Sequence, residues 1–149
     1  MANDTHGENG EKWTGFDLDG TLAEYDGWHG IDHIGKPIMP MCNLMKKLRA
    51  EGQKVKILTA RVSPRTDGTD TKEARKHIEK WCEENLGFVP EITHEKDSCM
   101  DKLYDDRSMQ VIPNTGIVLE DAVYKLTESI DKKDTPPEVL TLLDYLSGE

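Results

Sequence analysis

The sequence has fewer basic than acidic residues, few cysteines and no long apolar run, and each of these features excludes some classes of protein. Lys and Arg number 19 against 29 Asp and Glu, so the formal net charge is −10. This charge disfavours binding to extended nucleic acid or to anionic membranes. No segment approaches the roughly 18 apolar residues of a membrane span, and residues 1–12 lack the apolar stretch of a signal peptide. We therefore expect a cytoplasmic protein that does not engage a membrane.

The cysteine pattern excludes two common kinds of small domain. Cys42, Cys82 and Cys99 are odd in number, widely spaced and form no Cys-x-x-Cys pair. Neither a disulfide framework nor a zinc knuckle is therefore indicated. The Gly-x-x-x-x-Gly-Lys-Ser/Thr loop of a P-loop kinase is also missing. With 149 residues, 36% of them hydrophobic, we expect a flexible tail over residues 1–11 and one domain over residues 12–149.

Short apolar runs alternate with helical patterns along the chain. The runs predict strands at residues 13–16, 54–60, 92–93, 103–104 and 116–119. A helix is predicted between Pro40 and Gly52, and another between the N-cap Asp70 and Gly87. The segment from Glu120 onward is predicted to be mostly helical, with a break at residues 136–137. Because parallel strands need long crossovers, this order predicts an α/β fold, a three-layer Rossmann-like parallel sheet with helices on both faces.

Polar residues follow four of the predicted strands. They occupy residues 17–20, 59–61, 94–96 and 105–106. Ligands bind beyond the carboxyl ends of the strands in such sheets, so we expect these four groups to converge. Clustered carboxylates repel one another unless a cation offsets them, and oxygen ligands favour Mg²⁺. The pattern predicts a magnesium site that also receives a phosphate oxygen, with Gly20 allowing backbone N–H groups to approach it.

Asp17 and Asp19 are two residues apart where the chain leaves extended geometry. One carboxylate can then attack phosphorus as a nucleophile. The other can transfer protons to the leaving group and from water. Thr59 and a lysine would bind the oxygens of the transferred phosphoryl group.

Four segments resemble motifs I to IV of the haloacid dehalogenase superfamily of Mg²⁺-dependent phosphatases. They are Phe-Asp-Leu-Asp-Gly-Thr at 16–21, Ile-Leu-Thr-Ala-Arg at 57–61, a downstream lysine, and Tyr-Asp-Asp-Arg at 104–107. The resemblance covers residues 13–119. It implies that Asp17 is the nucleophile and a metal ligand, and that Asp19 is the acid/base and offers its backbone carbonyl to the metal. Thr59 corresponds to the motif II hydroxyl.

The resemblance leaves two assignments open. Motif III is Lys96 or Lys102, and Lys96 is favoured because Lys102 begins a strand whose far end lies about 10 Å away. Of the paired aspartates, Asp106 aligns better with the metal-ligating position. Asp105 would then be a neighbouring or water-mediated partner.

The spacing between the motifs predicts a protein without a large cap domain. The gaps from motif I to II and from II to III are about 40 and 37 residues, which the predicted elements already fill. Among capless members, the Thr-Ala-Arg and Asp-Asp-Arg sequences resemble those of the 3′-phosphatase domain of polynucleotide kinases. They are also similar to those of deoxyribonucleotidases, although these enzymes carry a cap. An open site suits a large substrate, or a small one that is covered by a neighbouring subunit or by a flap over residues 23–35. The predicted substrate-binding residues are Gly20, Ala60, Arg61, Tyr25, Trp28, His29 and Arg107.

These features predict a Mg²⁺-dependent phosphomonoesterase acting on a small phosphorylated metabolite or a mononucleotide. A polynucleotide 3′-phosphatase is the alternative function, which the net charge disfavours. The sequence is also compatible with a homo-oligomer. A non-catalytic phospho-acceptor or phosphate-binding protein is the competing class. Receiver domains, however, have their acidic pair early and their phosphorylated aspartate later, whereas Asp17 and Asp19 come first here.

Overall fold

The structure is a computed structural model, and it describes residues 10–129 and 135–148. The predicted tail over residues 1–11 therefore lies outside the described residues except for its last two. The chain divides into two compact units, Met1–Asp106 and Arg107–Glu149. Within the described ranges, no helix combines the length and the apolar character needed to cross a membrane.

A four-stranded sheet forms the centre of the first unit. Its strands are β1 (Trp13–Phe16), β2 (Lys54–Leu58), β3 (Glu91–Thr93) and β4 (Met100–Tyr104). The order across the sheet is β3-β2-β1-β4, and every neighbouring pair is parallel. All four residues of β1 are buried, as expected for an inner strand of a parallel sheet. The predicted α/β class with a Rossmann-like parallel sheet is confirmed.

Two helices lie in the crossovers between the first three strands. Helix α1 (Met39–Ala50) begins at Met39 with a proline in its first turn, and helix α2 (Thr71–Asn85) follows the N-cap Asp70. The Asp70 carboxylate accepts hydrogen bonds from the backbone N–H groups of Lys72 and Glu73, so the predicted cap is confirmed. Both helices share one apolar core with the sheet, whose fully buried members include Phe16, Ile57, Met45 and Ile78.

The two connections that could carry a cap domain are described throughout. Residues 17–38 contain turns and isolated bridges, and residues 59–90 contain a short 3₁₀ turn (Ala60–Val62) and α2. Neither segment forms a separate folded domain. The described residues of the first unit therefore contain no large cap domain.

The described residues of the second unit form two helices, α3 (Leu119–Ser129) and α4 (Pro137–Ser147), and a small core that includes Ile112 and Leu142. The predicted strand at residues 116–119 is wrong. Val118 makes only an isolated antiparallel bridge to Val111, and α3 begins one residue later. The reason is a tight turn with positive φ angles at Asn114 and Gly116, which leaves no length for a strand.

Candidate active site

Three aspartates meet at the carboxyl ends of β1 and β4. Phe16 pairs with Tyr104, so Asp17 and Asp105 follow at the same level of the sheet. The backbone N–H of Asp17 donates to the carbonyl oxygen of Tyr104 at 2.9 Å, which extends the pairing by one bond. One carboxylate oxygen from each of Asp17, Asp105 and Asp106 lies within 4.8 Å of the others. The structure therefore brings together three of the predicted metal ligands, and both members of the 105–106 pair contribute.

The environment of Asp17 opposes a negative charge on its carboxyl group. Burial, the negative charge of Asp105 and a hydrogen bond with Asp106 raise the pKa of Asp17 to about 7, although the backbone N–H of Leu18 acts in the opposite direction. Close carboxylates on a half-buried site call for a compensating cation. Three hard oxygen donors within reach of one ion fit Mg²⁺, which is commonly bound by a few carboxylates together with water and phosphate. The donor set therefore suits the predicted metal.

Thr21 fixes the position of Asp106. Its hydroxyl oxygen accepts a hydrogen bond from the Asp106 backbone N–H at 3.1 Å and lies 3.4 Å from the Asp106 Oδ1 atom. The Thr21 side chain is buried, so water does not compete for these bonds. Thr21 is not among the site residues predicted from the sequence. Its position directly after the Asp-x-Asp-Gly turn, at the end of a buried strand, is the sequence feature that could have identified it.

Gly20 packs directly against the same carboxylate. Its φ angle is +89°, and a Cβ atom at this position would collide with the side chain of Asp106. Glycine is thus required here both for backbone conformation and for space. This contact lets the turn after β1 and the end of β4 approach closely enough to assemble the three aspartates.

Asp19 does not belong to the three-aspartate cluster, because its carboxylate is paired with Arg61. The Nε and Nη2 atoms of Arg61 donate to the two carboxylate oxygens of Asp19 at 2.7 and 2.8 Å. This is a bidentate ion pair, and the Arg61 residue is only 4% exposed. The same guanidinium donates to the backbone carbonyls of His33 and Gly30 at 2.9 and 3.4 Å.

Thr59 follows β2 at the same edge of the sheet. It is buried, and its backbone N–H donates to the carbonyl of Thr93 at 2.9 Å, beyond the end of the β2–β3 pairing. Its hydroxyl accepts from the backbone N–H of Arg61 at 3.2 Å and caps the 3₁₀ turn that begins at Ala60. This cap orients the Arg61 backbone, while Ala60 itself is exposed.

The flap, residues 23–35, is anchored at both ends. Ala23 bridges to Asp19 and to Pro37. The indole N–H of Trp81 donates to the carbonyl of Gly35 at 2.9 Å. Trp81 itself is buried in the core.

The middle of the flap carries exposed aromatic groups. Trp28 is 45% exposed, and the Cζ atoms of Arg61 and Arg65 lie 4.9 and 5.4 Å from its ring centroid. Tyr25 is also exposed. The His29 Nε2 atom lies 2.9 Å from the Asp26 Oδ1 atom. The flap therefore presents an aromatic surface beside the Arg61–Asp19 pair.

No protein-family model and no curated protein matches the chain. Among solved structures, it is similar to a conserved protein coded by a locus of Bacteroides thetaiotaomicron, with 18% sequence identity and a TM-score of 0.46. The match covers 84% of this chain and 94% of that chain. A likeness of this size carries no inference about function.

The remaining predicted site residues are Arg107 and the two candidate lysines of motif III. Lys96 is exposed and precedes Asp97, whose Oδ1 atom accepts a hydrogen bond from the Trp13 indole at 2.8 Å. Lys102 is exposed and pairs with Thr14 inside the sheet. The choice of motif III lysine therefore stays open. Arg107 begins the second unit, and its role in substrate binding stays a prediction.

Proposed function

We propose that the protein is a Mg²⁺-dependent phosphomonoesterase that works through an aspartyl-phosphate on Asp17. The meeting of Asp17, Asp105 and Asp106 at the carboxyl ends of β1 and β4 is the observation that carries this proposal. A second acidic group, Asp19, is two residues from the nucleophile and is held in one orientation. A nucleophile, a separate proton-transfer group and a divalent-cation site are the parts that this chemistry requires.

Asp17, Asp105 and Asp106 would hold the cation, together with the backbone carbonyl of Asp19. A bound Mg²⁺ would offset the carboxylate charge and polarise a phosphoryl oxygen. With that charge offset, the Asp17 carboxylate is ionised at neutral pH and is available as a nucleophile.

In the first step, an Asp17 oxygen forms a bond to phosphorus while the bond to the leaving oxygen breaks. Asp19, protonated on the oxygen that leaves Arg61 as the substrate binds, gives that proton to the leaving oxygen, so an alcohol departs. In the second step, Asp19 takes a proton from water, whose oxygen attacks the phosphorus. The acyl-phosphate bond then breaks and Asp17 is restored. Thr59 and the motif III lysine would bind the phosphoryl oxygens as charge spreads over them.

A small phosphorylated metabolite or a mononucleotide suits this chain best as a substrate. The net charge of −10 opposes a polyanion. The exposed Trp28 beside Arg61 favours a leaving group with a planar ring. We further propose that the protein acts in the cytoplasm, because Cys42, Cys82 and Cys99 are all free thiols.

A panel of phosphomonoesters tests the proposal. It contains an aryl phosphate, sugar phosphates, 3′- and 5′-nucleotides and oligonucleotide 3′-phosphates, each assayed with Mg²⁺ and with a chelator. We expect Mg²⁺-dependent phosphate release that Asp17→Asn abolishes. Preference for oligonucleotide ends would instead favour a polynucleotide 3′-phosphatase. If the protein hydrolyses none of these phosphomonoesters, or if Asp17→Asn keeps full activity, the proposed mechanism is wrong.

A further inference from the structure

Arg61 contacts two parts of the molecule that are distant in sequence. Its guanidinium holds both carboxylate oxygens of Asp19, and it also holds the backbone carbonyls of Gly30 and His33 in the flap. These four hydrogen bonds use nearly all of the guanidinium N–H groups. The sequence predicts Arg61 as a substrate-binding residue, but its donors are already committed to the protein.

The burial of Arg61 makes these contacts hard to exchange for water. The residue is 4% exposed, and the Trp28 ring lies beside its guanidinium. A buried charge that loses one partner is left uncompensated, which is strongly unfavourable. Moving the flap away from Arg61 would therefore disturb the same group that orients Asp19. Conversely, removing the Asp19 carboxylate would remove the main charge that fixes Arg61 under the flap.

We propose that Arg61 is a positioning residue that couples the conformation of the flap to the orientation of the Asp19 carboxylate. The coupling itself requires no catalysis. Its consequence for proton transfer rests on the proposed function, in which Asp19 protonates the leaving group. A lysine could not replace Arg61, because an ammonium lacks the planar fork that binds both oxygens of Asp19 and the flap carbonyls together.

The coupling can be measured by amide hydrogen exchange of the flap in protein without substrate. We expect exchange over residues 23–35 to be at least several-fold faster in Arg61→Lys and in Asp19→Asn than in the wild type. Asp17→Asn is the matched control at Asp19, because Asp17 belongs to the aspartate cluster and not to the Arg61 pair. Arg65→Lys is the control at Arg61, because Arg65 lies beside Trp28 while its ion pair is with Asp67. Flap exchange in Asp19→Asn equal to that of Asp17→Asn would overturn the coupling.

The effect on Asp19 can be measured through the leaving group. A well-placed general acid matters most when the leaving oxygen is strongly basic. We expect Arg61→Lys to lower kcat for an alkyl phosphate by about 100-fold, and to lower kcat for 4-nitrophenyl phosphate much less. Equal losses for both substrates would contradict a positioning role.

The hydrogen-exchange and kinetic measurements test the coupling and the proposed function separately. If the wild type hydrolyses no phosphomonoester, the proposed function fails, and the exchange measurement alone decides whether Arg61 couples Asp19 to the flap. If Arg61→Lys does not fold, Asp19→Asn tests the same contact from the other side. Circular dichroism of each variant establishes which case applies.

Discussion

Thr21 and Asp106 are joined by two contacts across 85 residues of sequence, from the Asp106 backbone N–H to the Thr21 hydroxyl and from that hydroxyl to the Asp106 carboxylate. One short side chain thereby fixes both the backbone and the side chain of a candidate metal ligand. Groups that orient a ligand in this way influence metal affinity even though they do not touch the ion.

Replacing Thr21 by valine should weaken Mg²⁺ binding about tenfold, because valine keeps the shape but loses the hydroxyl that holds Asp106. Isothermal titration calorimetry with MgCl₂ measures the affinity. Thr21→Ser retains the hydroxyl and is the matched control, expected to bind within about threefold of the wild type. Equal affinities for the valine and serine variants would show that Asp106 does not need this support.

Gly20→Ala should destabilise the protein more than the same change at another glycine with positive φ. Gly20 has a φ angle of +89° and Gly87 one of +79°, but only at Gly20 does the added Cβ meet a neighbour, the Asp106 carboxylate. Both changes carry the conformational cost of roughly 1–2 kcal/mol for a left-handed alanine. The collision adds to that cost at Gly20 alone. Urea denaturation gives both free energies of unfolding, and equal losses would refute the close contact.

The parts of the fold that could be predicted from the sequence rest on local signals. The apolar runs around Phe16 and Ile57 mark the central strands, and Asp70 marks the start of α2 because its cap involves only neighbouring residues. The false strand at residues 116–119 also came from a local signal. The turn at Asn114 overrides its apolar residues.

The candidate site is predictable only where strand order dictates it. Parallel strands bring Asp17 and Asp105 to one edge, so their meeting follows from topology. The contacts of Arg61 with Asp19 and with the flap depend on how side chains pack across 42 and about 30 residues. No sequence spacing encodes that packing, and a motif position alone suggested a different role for Arg61.

Asp17→Asn should stabilise the metal-free protein at pH 8. Because folding raises the pKa of Asp17 from 3.8 to about 7, the folded state binds a proton more tightly than the unfolded state. The wild type therefore loses stability as the pH rises from about 4 to 7, and asparagine removes this loss. We expect a gain of about 1–2 kcal/mol at pH 8, after discounting the shift for the partial exposure of Asp17.

Thermal unfolding in a chelator, at pH 5 and at pH 8, measures this gain. We expect a small difference between the two proteins at pH 5 and a clear one at pH 8. Adding Mg²⁺ at pH 8 should raise the Tm of the wild type but not that of Asp17→Asn, because the variant has lost a charged ligand. A wild type that is as stable as the variant at pH 8 without metal would mean that burial and the neighbouring aspartates do not raise the pKa of Asp17.

Substitution of the two candidate lysines should identify the motif III residue. Lys96 follows β3 whereas Lys102 lies within β4, so only Lys96 comes after a strand end. We expect Lys96→Met to lower kcat for an aryl phosphate by about 100-fold or more, the usual cost of losing one group that stabilises transition-state charge. Lys102→Met, which removes the same charge from an exposed strand position, is the matched control. The Mg²⁺-dependent rise in Tm should persist in both variants, since neither lysine is a metal ligand. A large loss in Lys102→Met with Lys96→Met unaffected would transfer the role to Lys102, and would require the β3–β4 connection to lie away from the phosphate.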